Sequence, residues 1–294
     1  MLGRVLPSGM IVGVDFGITV TDAVSVVAGR AVEHRSLVRP GPACEEVLGQ
    51  ALANLQAASG QVAAIAVTGG RSRELPDSFY GVPIVKISEP TATARGGLTL
   101  VELERAMVVS CGTGTAIVDA DVRADSYQHV SGTPVGGGTL AGLGSLLVAG
   151  ADAVKVAELA LTGSASGVDT TLADVLGGSL GHLPANATAV SFGRVATLTS
   201  APEPADLAAG LTTMVAQTIA LITLNTALAR GVETVVFVGR TARFQAIERM
   251  IRAVFAVYSY PSEPLFPAHG EQATALGAAL VLEAQRAKTD AGTG

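Results

Sequence analysis

Lysine is nearly absent. The 294-residue chain holds three, Lys86, Lys155 and Lys288, within a total of 19 Lys+Arg. Charged residues make up 15% of the chain, against about 25% in an average soluble domain. With 25 Asp+Glu the net charge is −6, so no basic excess exists to neutralise a phosphate backbone, which excludes a nucleic-acid binder. Tryptophan is missing and aromatics reach only 4%, so the 49% hydrophobic content comes mainly from Ala, Val and Leu. That much apolar residue excludes a disordered chain. At this length it supports a large core and two domains. Cys44 and Cys111 cannot build a disulfide scaffold, and nothing near them spaces like a metal site.

One stretch is long and uncharged enough to raise the question of a membrane: 207–229, between Asp206 and Arg230. It carries Gln217, Asn225 and five threonines. Its strong apolar residues Leu211, Met214, Val215, Ile219, Leu221 and Ile222 recur at helical spacing, as in a helix buried in a core or a dimer interface. The first residues lack a sustained apolar segment before the first Gly and Pro, so no secretory leader is expected. The expected setting is cytoplasmic, without a membrane partner.

Apolar and β-branched runs place strands at Met10–Val14, Val20–Val27, Val62–Val67, Pro83–Ile87, Ala106–Ser110, Ala116–Ala120 and Thr234–Val238. Helices are expected over about 44–58, 91–103, 144–161, 169–177, 207–229 and 273–287. The opening pattern occurs twice. A strand breaks at Asp15-Phe16-Gly17-Ile18-Thr19 and resumes. About 95 residues further on, another breaks at Cys111-Gly112-Thr113-Gly114-Thr115 and resumes. The repeat predicts two related α/β halves, 1–104 and 105–294, each opening with a β-hairpin. The second half adds a glycine-rich segment at 131–144.

Gly/Thr turns at strand ends can offer backbone N–H groups and hydroxyls to phosphate oxygens. An Asp at a strand end can hold Mg²⁺ through water. One such turn alone could be a plain hairpin. Two, one per repeat, with Gly239-Arg240 after a third strand, make a more specific set in which phosphates are gripped from both sides and adenosine lies at the third turn.

In this order the three turns resemble the phosphate-1, phosphate-2 and adenosine motifs of the actin-like ATPase superfamily. The segment His129 to Leu147, with Gly136-Gly137-Gly138-Thr139 at its centre, is similar to the one after phosphate-2 in type II pantothenate kinases. Val168-Asp169, Asp174-Val175, Ser191-Phe192-Gly193 and Ala275-Leu276-Gly277-Ala278 also look like motifs of that family. The resemblance runs from about residue 10 to 285. It implies two RNase-H-like domains with an interdomain ATP cleft. It implies ATP and Mg²⁺ as cofactors, Asp15 at the metal, and Gly17, Thr19, Gly112, Thr113, Gly114, Thr115, Gly137, Gly138, Thr139, Gly239 and Arg240 around the nucleotide. It further implies a homodimer, with helix 207–229 as the interface, and pantothenate as the acceptor.

Phosphoryl transfer to a hydroxyl needs a group that takes or orients the hydroxyl proton. Glu89, after a short strand and before Pro90, fits that role, and the resemblance agrees. The alternative for Glu89 is an acid at a helix N-terminus. Glu74, in a charged loop, is a weaker rival. Two positions depart from the family. Asp22 stands where many members have Lys, and His129 stands where the family has an Arg that contacts substrate. Both remove positive charge from where an anionic acceptor would sit. Arg71, Arg73, Arg95 and Lys86 are the cations near Glu89 in sequence that would replace it. The rival functions are a kinase of another small hydroxyl compound, pantetheine-like or sugar-like, and a nucleotide-binding relative without catalysis.

Overall fold

The computed structural model describes residues 9–38, 42–55 and 62–292. In chain order the elements are β1 (Met10–Phe16), β2 (Val20–Val27), β3 (Arg30–Val38), α1 (Glu45–Asn54), β4 (Val62–Thr68), β5 (Ser78–Phe79), β6 (Val82–Lys86) and α2 (Glu89–Leu100). There follow β7 (Arg105–Cys111), β8 (Thr115–Asp121), β9 (Ser126–Thr133), α3 (Gly137–Leu147), α4 (Ala153–Leu159), β10 (Thr170–Thr171), α5 (Leu172–Leu176) and β11 (Thr188–Val190). The chain closes with α6 (Pro204–Arg230), β12 (Val235–Val238), α7 (Gln245–Val257) and α8 (Ala273–Gly292). It forms two compact units. The first is Met1–Val108, Val118–His129 and Pro267–Gly294; the second is Val109–Ile117 and Val130–Phe266.

The first unit is built on a six-stranded sheet in the order β3-β2-β1-β4-β6-β5. β1 pairs antiparallel with β2 and parallel with β4, and β4 pairs parallel with β6. β1 is buried along most of its length because both faces are covered, as a strand central to such a sheet requires. One face packs Val12, Val14, Ile65 and Val67 against Val47 and Leu48 of α1. The other packs Ile11, Val24, Ala64 and Ala66 against Ala275, Ala278 and Ala279 of α8. Small residues let α8 come this close. A Cβ on Gly13 would collide with the Ala275 carbonyl, one on Gly96 of α2 with that of Ala273, and one on Gly277 with that of Ala92. Between the two helices the Thr93 and Thr274 hydroxyls lie 2.9 Å apart, buried.

The second sheet has the order β12-β7-β8-β9. Read from its other edge, β9-β8-β7-β12, its strand order parallels β3-β2-β1-β4 of the first sheet. In the second unit α6 is long and apolar enough to cross a membrane by composition, yet 67% of that window is buried inside the chain. Its sides pack on α3, α4 and α7. An interior position accounts for its lack of charge without a membrane. The Val168-Asp169 and Ser191-Phe192-Gly193 segments meet here. The Phe192 N–H and the Thr188 hydroxyl each donate to Asp169, both at 2.8 Å.

Several element boundaries differ from expectation. β1 continues through Asp15 and Phe16, so the first turn is only Gly17–Thr19. α2 begins at Glu89 rather than 91, because Ser88 caps it and Pro90 suits a first turn. The helix expected over 144–161 is two helices. Ala149 and Gly150 take positive φ of 47° and 75°, and Asp152 starts α4 by accepting from the Lys155 N–H at 2.8 Å. The glycine-rich segment 131–144 is divided between the end of β9 and the start of α3. The helix expected over 169–177 is the five-residue α5, since Asp169 and β10 occupy its first positions. α1 ends at Asn54; 56–58 of the helix expected there lie outside the described residues, as do the first eight residues of the segment read for a leader. β3 and α7 were not among the expected elements. β3 is a charged edge strand, and α7 is amphipathic, burying Ile247, Ile251, Val254 and Phe255.

Candidate active site

In the first unit, β1, β4 and β6 run parallel and deliver Asp15, Thr68 and, just past its strand, Glu89 to their C-terminal ends. Open α/β sheets bind ligands at that edge. Asp15 is the partner of Asp22 on β2 and of Thr68 on β4, and Asp22 is the partner of Ser36 on β3. Directly opposed residues share a face, so Ser36, Asp22, Asp15 and Thr68 form a polar row across four strands. Asp22 is 2% exposed and accepts from Ser36 Oγ at 2.6 Å, with His34 Nε2 at 3.0 Å. These partners explain how a carboxylate is tolerated in that position. Beyond Thr68 the chain turns through Gly69 and Gly70, both with positive φ, and a Cβ on Gly69 would collide with the Asp15 carboxylate. Gly17 and Thr19 lie in the turn between β1 and β2.

Glu89 opens α2. Solvent reaches its side chain, yet surrounding protein removes enough water from the carboxyl to raise its pKa above the ordinary range. Of the nearby cations, Arg71 donates to Glu74 at 2.6 Å and Lys86 to Asp77 at 2.5 Å. Arg73 is exposed, and Arg95 is half-buried on α2. His129 lies exposed on β9, at the edge of the second sheet.

In the second unit three turns converge. Gly112, Thr113 and Gly114 connect β7 to β8, and Thr115 begins β8 with its hydroxyl donating to the Val135 carbonyl at 2.9 Å. Gly137 and Gly138, in the first turn of α3, donate their N–H groups to the Gly112 and Thr113 carbonyls, each at 2.9 Å. Thr139 accepts from the Gly136 N–H at 3.2 Å. From the loop after β12, Thr241 Oγ1 donates to the Gly112 carbonyl at 3.0 Å. Gly239 reaches the same place at a φ of 90°, and a Cβ there would stand 2.5 Å from the Cys111 carbonyl oxygen. Arg240 follows at once. Gly137 and Gly138 thus use their amides to fasten α3 to the turn before it. Cys111 is fully buried, and burial pushes its thiol up to about 12, which leaves it inert at neutral pH.

Thr68-Gly69-Gly70 and Thr241 were not among the expected site residues. The first has the same signature as the expected turns, a buried strand running into Thr and Gly. Thr68 is fully buried, and among the described residues its hydroxyl has no hydrogen-bond partner.

The sequence profile of the Fumble family matches residues 104–281, more than half of the chain. The chain belongs to the Fumble family. Among proteins similar to this Fumble chain is the type II pantothenate kinase of Bacillus cereus, 30% identical over 222 residues that cover 74% of this chain and 80% of that protein. The type II pantothenate kinase of Oceanobacillus iheyensis is 30% identical over 221 residues, 73% of this chain and 80% of that protein. Among solved structures, the activator of 2-hydroxyisocaproyl-CoA dehydratase from Clostridium difficile, with bound ADPNP, aligns with a TM-score of 0.67 at 18% identity. That alignment covers 96% of this chain and 97% of that one. A ROK family glucokinase from Streptomyces griseus, in complex with glucose and AMPPNP, aligns with a TM-score of 0.57 at 16% identity over 93% and 99% of the two chains. These likenesses show that the Fumble chain has the actin-like ATPase fold.

Proposed function

We propose that the chain is an ATP-dependent kinase that phosphorylates pantothenate to 4′-phosphopantothenate, the first step of coenzyme A synthesis. The observation that carries the nucleotide part is the convergence of three Gly/Thr turns on the Gly112 carbonyl. The acceptor follows from similarity to type II pantothenate kinases. In this reading the Gly112–Thr115 turn and the first turn of α3 border the phosphates, and Gly239 and Arg240 border the adenosine. Gly17 and Thr19, in the turn between β1 and β2, are also assigned to the phosphates. Glu89 takes the proton from the acceptor's primary hydroxyl as the oxygen attacks the γ-phosphate, and ADP leaves with the electron pair of the broken bond.

Magnesium suits the residues present. Among the described residues no group of three or more His, Cys, Asp or Glu could cage a metal. Mg²⁺ bound with nucleotide needs only one or two carboxylates, its other ligands being water and phosphate. Asp15 at its strand end meets that need, and the ion would neutralise charge on the phosphates. The chain would also pair with a second copy through the outward side of α6, where Met214, Leu221 and Leu228 are not fully buried.

A second reading, an uncharged acceptor such as pantetheine or a sugar, is favoured by one observation. Asp22 is a fixed acid beside Asp15, and Arg71 and Lys86 are each paired with an acid of their own. Release of ADP over a panel of pantothenate, pantetheine and N-acetylglucosamine separates the two. Turnover with pantothenate supports the first reading. Turnover only with an uncharged acceptor establishes the second, and ATP binding with no turnover on any acceptor refutes both.

A further inference from the structure

The Gly112 carbonyl oxygen accepts two hydrogen bonds, from the Gly137 N–H at 2.9 Å and from Thr241 Oγ1 at 3.0 Å. The three residues come from three separate segments, the β7–β8 turn, the first turn of α3 and the stretch after β12, and Thr241 lies 129 residues from Gly112 in sequence. Thr241 is 3% exposed, so its hydroxyl is turned into the protein rather than toward a ligand. A Cβ on Gly137 would stand 2.5 Å from that hydroxyl oxygen; glycine at 137 is what leaves room for it.

We propose that Thr241 is a positioning residue for the nucleotide, one that sets the spacing between the loop bordering adenosine and the turn bordering the phosphates. The role rests on the nucleotide reading above. A nucleoside triphosphate has fixed dimensions, and a site built on loops binds it well only if those loops are ordered beforehand. These loops touch in at least two ways. One is steric, Gly239 against the Cys111 carbonyl. The other is the Thr241 hydrogen bond, which is directional and fixes how the loop after β12 is seated. Thr is suited to this because its branched Cβ restricts χ1 and holds the hydroxyl in one direction. The Gly112 carbonyl, held from two sides, in turn orients the peptide planes of the 112–114 turn.

The test is the affinity of the full-length chain for Mg-ATP by titration calorimetry, with steady-state kinetics beside it. Thr241→Val keeps the shape and removes the hydroxyl. It is expected to raise the Kd and the KM for ATP about ten-fold, the scale of one buried hydrogen bond. The kcat and the acceptor KM should stay near wild type. Thr241→Ser restores the hydroxyl and should restore affinity. If Thr241→Val does not fold, Thr241→Ala reads the same loss. Wild-type ATP affinity in Thr241→Val or Thr241→Ala, or a Thr241→Ser variant as weak as these, overturns the role. A wild-type chain that does not bind Mg-ATP overturns the nucleotide reading, and this role with it.

Discussion

Glu89 combines two properties that oppose each other in a structural residue and agree in a general base. It stands in the first turn of a helix, where a negative charge is favoured, yet loss of water raises its pKa. A base with a raised pKa attracts the hydroxyl proton more strongly once ionised. Glu89→Gln should therefore retain ATP binding and lose turnover by about 10²–10⁴, which calorimetry and ADP release measure separately. The pH dependence follows in sign. Only the ionised carboxylate can act as base, so kcat/KM should fall on the acid side through a pKa above the ordinary 4.5. Glu89→Gln should flatten what remains of that limb. Stability has the opposite slope. The folded chain holds the Glu89 proton more tightly than the unfolded chain, so ionisation costs stability at neutral pH and the cost vanishes as pH falls through the raised pKa. Glu89→Gln should thus melt no lower than wild type at pH 7. A clearly lower melting temperature would make Glu89 a structural acid.

At the scale of elements, backbone proximity rather than side-chain charge organises the two units. α8 lies against β1 and α2 because Gly13, Gly96 and Gly277 carry no side chain. Gly277→Ala must force the helices apart, and should cost about 1–3 kcal/mol or more in chemical denaturation. Asp169 binds two donors from the segment 188–192. Asp169→Ala leaves the part-buried Phe192 N–H and Thr188 hydroxyl without their acceptor and should cost about 1–3 kcal/mol by the same measurement. The central strands were legible in the sequence because they are apolar on both faces; Val20–Val27 matches β2 residue for residue. β3 was not, because an edge strand carries Arg30, Glu33, His34 and Arg35 in place of an apolar signal. The break between α3 and α4 was masked by an unbroken apolar composition, although Gly150 and Asp152 are stop and start signals. The Gly/Thr turns stood out as residues. What one sequence does not carry is the pairing between them. That Gly137 and Gly138 spend their amides on the Gly112 turn, and that Thr241 joins it from 129 residues away, depends on contacts between separate segments.

For the molecule as a whole, the repeated sheet order assigns similar frames to different tasks. The first frame carries the acids Asp15 and Glu89 beside its glycine turns, while the second carries glycine turns without a comparable acid pair in them. The proposed dimer would form through the outward side of α6. A dimer through this surface predicts twice the monomer mass by light scattering at micromolar concentration. Leu221→Glu with Leu228→Glu should reduce it to the 29.5 kDa of one chain. A wild-type protein that is monomeric under those conditions would remove α6 from that role.

The seat of α8 on β1 also imposes an order in time. On the ribosome β1 to α2 emerge well before α8, the helix that covers one face of their sheet, which follows Pro267. At about 5–20 residues per second, that face waits on the order of ten seconds for its cover. Through that interval Ile11, Val24, Ala64 and Ala66 have only provisional partners. The second unit, complete by Phe266, is free to fold during the wait. The first unit can therefore close only once α8 is made, and its exposure to chaperones and to aggregation is set by how long the intervening chain takes to be translated.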